Sequence, residues 1–153
     1  MRGIPLEERK ALGALLDRQT QAEVMARIPQ FKEAETGNFV PPPETAPEAL
    51  GVLMFNMERG VHLTEIQEFL RDCPDIQPFD LILANELDDG CARSGNKNTA
   101  RELAEAFGLN YAWGLEFIEL VNDENEKGFH GNAVFSRWPI RRAGVIRLPE
   151  QYN

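Results

Sequence analysis

Two short apolar runs in this sequence each lead to polar residues that can do chemistry. The first, Val52 to Phe55, is followed by Asn56 and then by Glu58. The second, Phe79 to Ala84, leads to Glu86. Both runs are predicted as buried strands, and open α/β sheets place their ligand sites at the carboxyl ends of such strands. We therefore predict a ligand site where these two strands end.

The residues between the two runs predict that the strands are parallel neighbours. Apolar residues recur at helical spacing from Leu63 to Cys73, and Pro74 ends this helix. A strand, helix and strand in this order form a βαβ unit, whose two strands end at the same edge of the sheet. We therefore expect the side chains of Asn56 and Glu86 to approach each other.

A second helix is predicted over residues 99–107. Thr99 and Glu102 fit a capping box at its start, and Gly108 follows as its stop. The apolar residues of this segment fall on one helical face. The pattern therefore predicts an amphipathic helix that packs against the sheet.

Three further strands are expected after this helix. Residues 111–120 and 133–137 alternate with a period near two, which predicts a pair of strands joined by the polar loop 121–130. Residues 142–148 are interpreted as one more strand. These elements together predict an α/β fold with a mixed sheet and flanking helices.

The region before the first strand is interpreted as a helical amino-terminal extension, residues 1–39. Pro5 is placed at the first helical position, and the helix is expected to run to Pro29. Residues 40–50 are rich in proline and are interpreted as a linker. Residues 51–153 would then form the main domain.

Composition and charge exclude several classes of protein. The formal charge is −9 and the pI about 4.8, which disfavours binding to nucleic acid or to anionic membranes. The sequence has neither a secretory signal nor a membrane span, so a soluble, cytoplasmic protein is expected. Cys73 and Cys91 have no metal-site spacing and are expected to be free thiols.

Five ordered blocks of the sequence carry a family resemblance. They cover about residues 51–140 and read VLMFNMERG, DLILANELDDG, ARSGNKN, NYAWGLEFIEL and GFHGNAVFSRWPI. In this order they resemble the endonuclease/exonuclease/phosphatase superfamily, in its bacterial, uncharacterised branch. The resemblance implies a four-layer α/β sandwich and a metal-dependent hydrolase of phosphodiesters or phosphomonoesters.

The resemblance also implies roles for the residues at the strand ends. Phosphoester hydrolysis places negative charge on oxygen atoms, which a hard cation such as Mg²⁺ or Mn²⁺ can stabilise. Glu86 is implied as the metal ligand. Asn56 would either orient Glu86 or contact the metal through its amide oxygen. Glu58 stands where some family members place a second acidic contact.

Four other polar residues are candidates for substrate binding: Arg93, Asn96, His130 and Asn132. Arg93 and Asn96, with Asn98, lie in a loop before a helix, where donors can meet a phosphate. Solvation of the loop and capping of the helix explain these residues equally well. His130 and Asn132 are expected to border the pocket, and His130 is not assigned as the catalytic histidine of the family.

The sequence lacks other blocks that the family uses. No Gly-Asp-x-Asn or Ser-Asp-His block occurs before Asn153, so the chain is expected to be the amino-terminal half of the sandwich. Half of a sandwich exposes an apolar sheet face, which the missing carboxy-terminal half, the amino-terminal helix or a homodimer would have to cover.

Three functions follow as alternatives. The first is a metal-dependent hydrolase acting on a small phosphoester rather than on duplex DNA, inactive in this incomplete form. The second is a non-catalytic binding or interaction remnant of such a domain. An unrelated metal-binding module remains a third possibility.

Overall fold

A mixed five-stranded sheet organises the chain. The computed structural model describes residues 1–148. The strand order is β1-β4-β5-β3-β2, with β1 Ala34–Gly37, β2 Val52–Arg59, β3 Leu81–Asp89, β4 Asn110–Ile118 and β5 Phe129–Ser136. The helices are α1 Leu6–Leu15, α2 Gln21–Met25, α3 Leu63–Asp72 and α4 Thr99–Phe107. The predicted α/β fold is confirmed.

The βαβ unit forms as the sequence predicts. Strands β2 and β3 are parallel neighbours joined by α3, and every other strand pair is antiparallel. The strand bounds predicted from the sequence, 52–56 and 80–85, are too short, however. Both continue through a register shift, β2 to Arg59 and β3 to Asp89. The antiparallel partner β5 is also longer than predicted and begins at Phe129.

Strand β2, which contains the first apolar run, is not buried on both faces. It lies at the edge of the sheet, and Val52 and Met54 are 52% and 75% exposed. Leu53 and Phe55, on the other face, pack against the core. The apolar run predicted burial, but in this strand only one face is covered, because helices α3 and α4 lie on one side of the sheet.

The core lies between that covered face and the two helices. Its sheet side is formed by Ile82, Phe135 and Trp113, and its helix side by residues such as Leu70 and Leu103. These side chains are almost fully removed from water, and each contributes about 1.5–3 kcal/mol by its burial. The amphipathic patterns of α3 and α4 therefore set which face of the sheet is closed.

The amino-terminal region departs from the predicted single helix. It forms α1 and the short α2, which Thr20 begins with a capping box in which its hydroxyl accepts the Glu23 N–H. This cap competes with continuation of α1 and so breaks the helix. Strand β1 then pairs with β4, so the region expected to be a helical extension includes one strand of the main sheet.

Helix α4 has the predicted bounds but a different cap. Asn98 is the N-cap, and its Oδ1 accepts the Arg101 N–H at 2.9 Å. The Thr99 hydroxyl instead donates to the Asp88 carbonyl at 2.7 Å. The predicted capping box of Thr99 and Glu102 was therefore wrong, and the N-cap residue is Asn98, one position earlier. Gly108 follows in the left-handed conformation with φ 59°, which confirms the predicted stop.

The segment 142–148 does not form the predicted strand. It has no regular secondary structure and crosses the uncovered face of the sheet over β4, where Arg147 donates to the Leu115 and Glu116 carbonyls. Strand β4 already has β1 and β5 on its two sides, so no edge is free for another strand there. We call residues 140–148 the carboxyl strap.

Two further expectations concern the thiols and membranes. Cys73 and Cys91 are both free, as predicted. Within residues 1–148, no helix combines the length and apolar character that crossing a membrane requires.

Candidate functional site

Asn56 and Glu86 meet at the edge of the sheet, as their positions in the sequence predict. Asn56 Nδ2 donates a hydrogen bond of 2.8 Å to Glu86 Oε1. The Asn56 amide oxygen accepts the Glu58 N–H at 2.8 Å. Of the two arrangements considered for Asn56, the hydrogen bonds match the one in which its amide orients the Glu86 carboxylate.

A β-bulge turns Glu86 toward Asn56. The register of β3 shifts between Ala84 and Leu87, and Glu86 has a positive φ of 59°. Regular alternation would direct this side chain to the covered face, together with Ala84. The extra residue instead brings it to the face on which Asn56 lies. A left-handed backbone at a non-glycine residue is strained, and such residues cluster at functional sites.

Asn132 fixes Glu86 from the other side. Its Oδ1 accepts the Glu86 N–H at 3.1 Å, and its Nδ2 donates to Glu116 Oε2 at 3.2 Å. Together with Asn56, four strands thus contribute to one chain of hydrogen bonds at the uncovered face. Asn132, predicted to bind substrate, holds the backbone of the candidate metal ligand in this arrangement.

Glu58 lies beside this group and is exposed. It also has a positive φ, 46°, and Arg59 follows at 64°, so β2 is irregular at the same level as β3. Its N–H is bound to Asn56, and its carboxylate accepts no hydrogen bond from residues 1–148. A carboxylate in this position can act as a second acidic contact for a cation.

The donor set fits a divalent cation that keeps part of its hydration shell. Glu86 Oε1 is engaged by Asn56, while Oε2 accepts no hydrogen bond from the described residues. Within residues 1–148, no group of three or more His, Cys, Asp and Glu side chains is arranged around a common point. Mg²⁺ is commonly held by one or two carboxylates together with several waters, which matches these donors.

Arg93 is part of an ion-pair cluster centred on the buried Asp88. Its guanidinium makes a two-point contact with Asp88, at 2.7 and 2.9 Å, and a further contact with Glu119. Asp88 also accepts the Ser94 hydroxyl at 3.2 Å, and its side chain is fully buried. The donors of Arg93 are therefore used within the protein, and the structure does not bring Arg93 together with Asn56 and Glu86.

His130 belongs to the same cluster. Its Nδ1 lies 2.7 Å from Asp88 Oδ1, and since an ionised carboxylate only accepts, Nδ1 carries the proton. Its ring packs on Phe117 with centroids 4.3 Å apart, and the residue is 3% exposed. His130 lies within strand β5, whereas the sequence placed it in the loop before that strand.

The two loop asparagines have structural contacts. Asn96 donates to the Glu124 carbonyl and accepts the Glu126 N–H, which joins the loop before α4 to the loop after β4. Asn98 caps α4 and donates to Glu35 at 2.8 Å. Of the two explanations considered for these residues, these contacts match loop structure and capping.

The buried cluster has a defined ionisation state. Burial by itself raises the pKa of Asp88, but hydrogen bonds from His130 and Arg93 outweigh this and hold that pKa below its usual value. The hydrogen bond to Asp88 is also the main reason that the pKa of Arg93 is raised. Burial raises the pKa of Cys91 to about 12, so its thiol is protonated at neutral pH.

Sequence reasoning missed Asp88, Glu116 and Glu119. Asp88 lies in the acidic stretch after the second apolar run, which was the one available signal. Its partner His130 is 42 residues away, and its partner Arg93 lies in a separate loop. Such pairs have no local spacing, so only the strand register brings them together.

Comparison of the chain with protein-family models, with curated proteins and with solved structures gives no match. The superfamily membership that the five sequence blocks imply therefore stays a prediction.

Proposed function

We propose that this chain carries the metal-binding part of a phosphoester hydrolase that uses Mg²⁺ or Mn²⁺. The observation that supports this proposal is the 2.8 Å contact between Asn56 and Glu86, at the register shifts near the carboxyl ends of two parallel strands. An amide that holds one carboxylate oxygen leaves the second oxygen for a cation. The strained backbone at Glu86 is a further argument for a functional role.

Each residue of the group has a distinct task in this proposal. Glu86 is the direct ligand, Asn56 fixes its carboxylate, and Asn132 fixes its backbone N–H. Glu58 and Glu116 add negative potential that attracts the cation. When bound, the ion supplies charge stabilisation for the phosphoester oxygens and acidifies a coordinated water.

The charge of the chain favours a small substrate. With a formal charge of −9 and carboxylates around the site, a long polyanion such as duplex DNA would be repelled. A phosphodiester or phosphomonoester of low molecular weight carries few charges, and the bound ion would neutralise them. The two free thiols favour a reducing compartment, so we assign this activity to the cytoplasm.

Hydrolysis also needs a base for the attacking water and a stabiliser for the leaving group. Of the two histidines, His130 is buried and bound to Asp88, and His62 is exposed at the start of α3. We therefore expect residues 1–153 to bind the ion without turning over substrate. A non-catalytic binding role is the second candidate, and the uncovered apolar face of the sheet favours it.

Metal binding tests the proposal directly. Titration calorimetry with MgCl₂ and MnCl₂ should detect weak binding to the 153-residue chain. Glu86→Gln preserves the shape of the side chain and the contact with Asn56, and it should lower the affinity at least about 10-fold. Glu68→Gln, an exposed carboxylate on α3, is the matched control and should bind as the wild type does.

Two results would contradict the proposal. Equal affinity of Glu86→Gln and the wild type would remove Glu86 as the ligand, and no binding at all would favour the non-catalytic role. Assays with a phosphodiester and a phosphomonoester, with each metal and with chelator, add a second measurement. Metal-dependent turnover by the 153-residue chain would show that its catalytic set is complete.

A further inference from the structure

Strand β2 ends in a tight turn beside the candidate metal site. The Gly60 N–H donates to the Met57 carbonyl at 2.8 Å, so residues 57–60 form a β-turn. Its two central residues, Glu58 and Arg59, have φ of 46° and 64°. Positive φ at both central positions is the mark of a type I′ turn, which favours asparagine and glycine because other L-residues adopt this conformation only at a cost. Two charged residues therefore occupy positions for which the backbone prefers Asn and Gly.

The rest of the fold fixes this turn at both ends. Met57 is fully buried in the core, and Gly60 lies against helix α4, where a Cβ atom would be 2.6 Å from Thr99 Cγ2. The Glu58 N–H is held by the Asn56 side chain at 2.8 Å. The backbone that carries the two exposed charged side chains is therefore a well-anchored part of the structure.

The strand register places Arg59 close to Glu86. Arg59 pairs with Leu87 of β3, and Leu87 directly follows Glu86. Neighbouring strands are about 4.8 Å apart and consecutive Cα atoms about 3.8 Å apart, so the Cα atoms of Arg59 and Glu86 lie within about 9 Å. Leu87 is fully buried whereas Arg59 is exposed, so the arginine side chain is directed to water. When extended, it can reach an anion bound to a cation at Glu86.

Arg59 differs from two other arginines near this end of the sheet in the state of its donors. Arg93 donates to two carboxylates, and Arg147 of the carboxyl strap donates to backbone carbonyls of β4. Within residues 1–148, the exposed Arg59 guanidinium has no hydrogen bond or ion pair with a protein group. Its donors are therefore available to a ligand.

A phosphoester needs such a group at this site. The other side chains around Glu86 are amides and carboxylates, and the carboxylates of Glu58 and Glu116 repel an anion. A metal ion offsets only part of the charge on the phosphoryl oxygens. A guanidinium presents a planar pair of N–H donors that matches two of these oxygens. Arg59 is placed to supply both the positive charge and the paired donors.

We propose that Arg59 binds the phosphoryl oxygens of the substrate while Glu86 and Glu58 hold the cation. This inference rests on the proposed function, because it assigns the substrate contact of the same site. In the free protein, Arg59 offsets part of the negative charge of the two carboxylates and so weakens binding of the cation alone. Its effects on the cation and on the phosphate are therefore opposite in sign, which a purely structural residue would not show.

Two titrations of the 153-residue chain measure these effects by calorimetry, one with MgCl₂ and one with inorganic phosphate in excess Mg²⁺. Arg59→Gln should bind Mg²⁺ about 2-fold more tightly, because it removes a positive charge near the ion. The same variant should bind phosphate at least about 10-fold more weakly, because charge-assisted hydrogen bonds are lost. Arg59→Lys keeps the charge without the paired donors, so its phosphate affinity should be intermediate.

Arg71→Gln is the matched control. Arg71 is exposed in the last turn of α3, which begins beside the turn and returns to the opposite end of the sheet. The loss of one arginine changes the formal charge by the same amount as Arg59→Gln, from −9 to −10. Both affinities should stay at their wild-type values. This pair separates a local contact from the net charge of the chain.

Arg59→Gly distinguishes a role in binding from a role in folding. Glycine adopts the left-handed conformation without cost, so this variant should have a Tm about 2–4 °C above that of the wild type. Its phosphate affinity should fall as in Arg59→Gln. Thermal denaturation, followed by circular dichroism, provides the stability measurement. A gain in stability together with a loss of binding would show that the arginine serves the ligand.

The possible contrary results are distinct from one another. If Mg²⁺ binds but phosphate binds neither the wild type nor any variant, or binds Arg59→Gln as tightly as the wild type, then Arg59 is not the substrate contact and the proposed metal site still stands. If the wild type binds no Mg²⁺, the proposed function fails and this inference fails with it. A Tm of Arg59→Gly below that of the wild type would assign the arginine to the stability of the turn.

Discussion

Glu86 combines a strained backbone with a partly exposed carboxylate. Its φ of 59° lies in the left-handed region, where an L-residue costs about 1–2 kcal/mol relative to ordinary conformations. The bulge that causes this strain also turns the side chain to Asn56. Strained residues of this kind cluster at functional sites, which agrees with the role proposed for Glu86.

This strain gives a prediction about stability that is separate from metal binding. Glu86→Gly and Glu86→Ala both remove the carboxylate and its contact with Asn56, but only glycine adopts the left-handed conformation without cost. Glu86→Gly should therefore have a free energy of unfolding about 1 kcal/mol above that of Glu86→Ala. Urea denaturation of the two variants measures this difference. Equal stabilities would mean that the backbone relaxes out of the left-handed region.

At the scale of elements, the close pairing of β4 and β5 explains a glycine in the sequence block GNAVFS. A Cβ atom on Gly131 would lie 2.1 Å from the Gly114 carbonyl oxygen and 2.8 Å from the Trp113 ring. Both obstacles are fixed, since one is sheet backbone and the other is a fully buried indole. The glycine therefore allows the two strands to pair at the level of the candidate site.

Replacement of this glycine should be costly. Gly131→Ala forces β4 and β5 apart and should lower the free energy of unfolding by about 3 kcal/mol, the upper range for overpacking. Gly144→Ala is the matched control, because a Cβ there meets no atom within 4 Å, and its effect should be close to zero. Thermal and urea denaturation of the two variants provide the comparison. Similar stabilities would show that the pairing can shift without loss.

At the scale of the whole molecule, buried charge links stability to pH. Asp88 is fully buried and joins β3 to β5 through His130 and to the loop before α4 through Arg93. Glu119 extends the cluster into the loop after β4, and its pKa is also lowered, because hydrogen bonds from Asn125 and Arg93 outweigh the effect of burial. Protonation of these carboxylates would break contacts between several elements at once.

The sign of the pH dependence follows from the lowered pKa values. A carboxylate whose pKa is lower in the folded state contributes its full stability above the unfolded pKa of about 4 and loses it as the pH falls further. Wild-type stability should therefore decline below about pH 4. Asp88→Asn should lower stability by about 1–3 kcal/mol at neutral pH, since it removes the buried carboxylate that pairs with Arg93 and leaves only the contact with Glu119, and it should flatten the acid decline. Urea denaturation from pH 7 to pH 2.5 measures both effects, and an unchanged acid slope in the variant would contradict this account.

Local sequence patterns determined the helices and strands that form the βαβ unit. The apolar spacing in α3, the bounds of α4 with its glycine stop, and the meeting of Asn56 with Glu86 all followed from periodicity and from the rule that parallel strands share an edge. These features depend on residues close together in the chain or on the direction of one crossover. They are accordingly visible without knowledge of the rest of the fold.

Only the tertiary structure decided which faces are covered and which charges are paired. Val52 to Phe55 reads as a buried strand, yet it lies at an edge with one face uncovered, because burial depends on where the helices pack. The contacts of Asp88 with Arg93 and His130 depend on strand register and loop closure, which no local spacing encodes. The segment 142–148 was predicted to be a strand but crosses the face of β4, since both neighbouring positions in the sheet were already occupied.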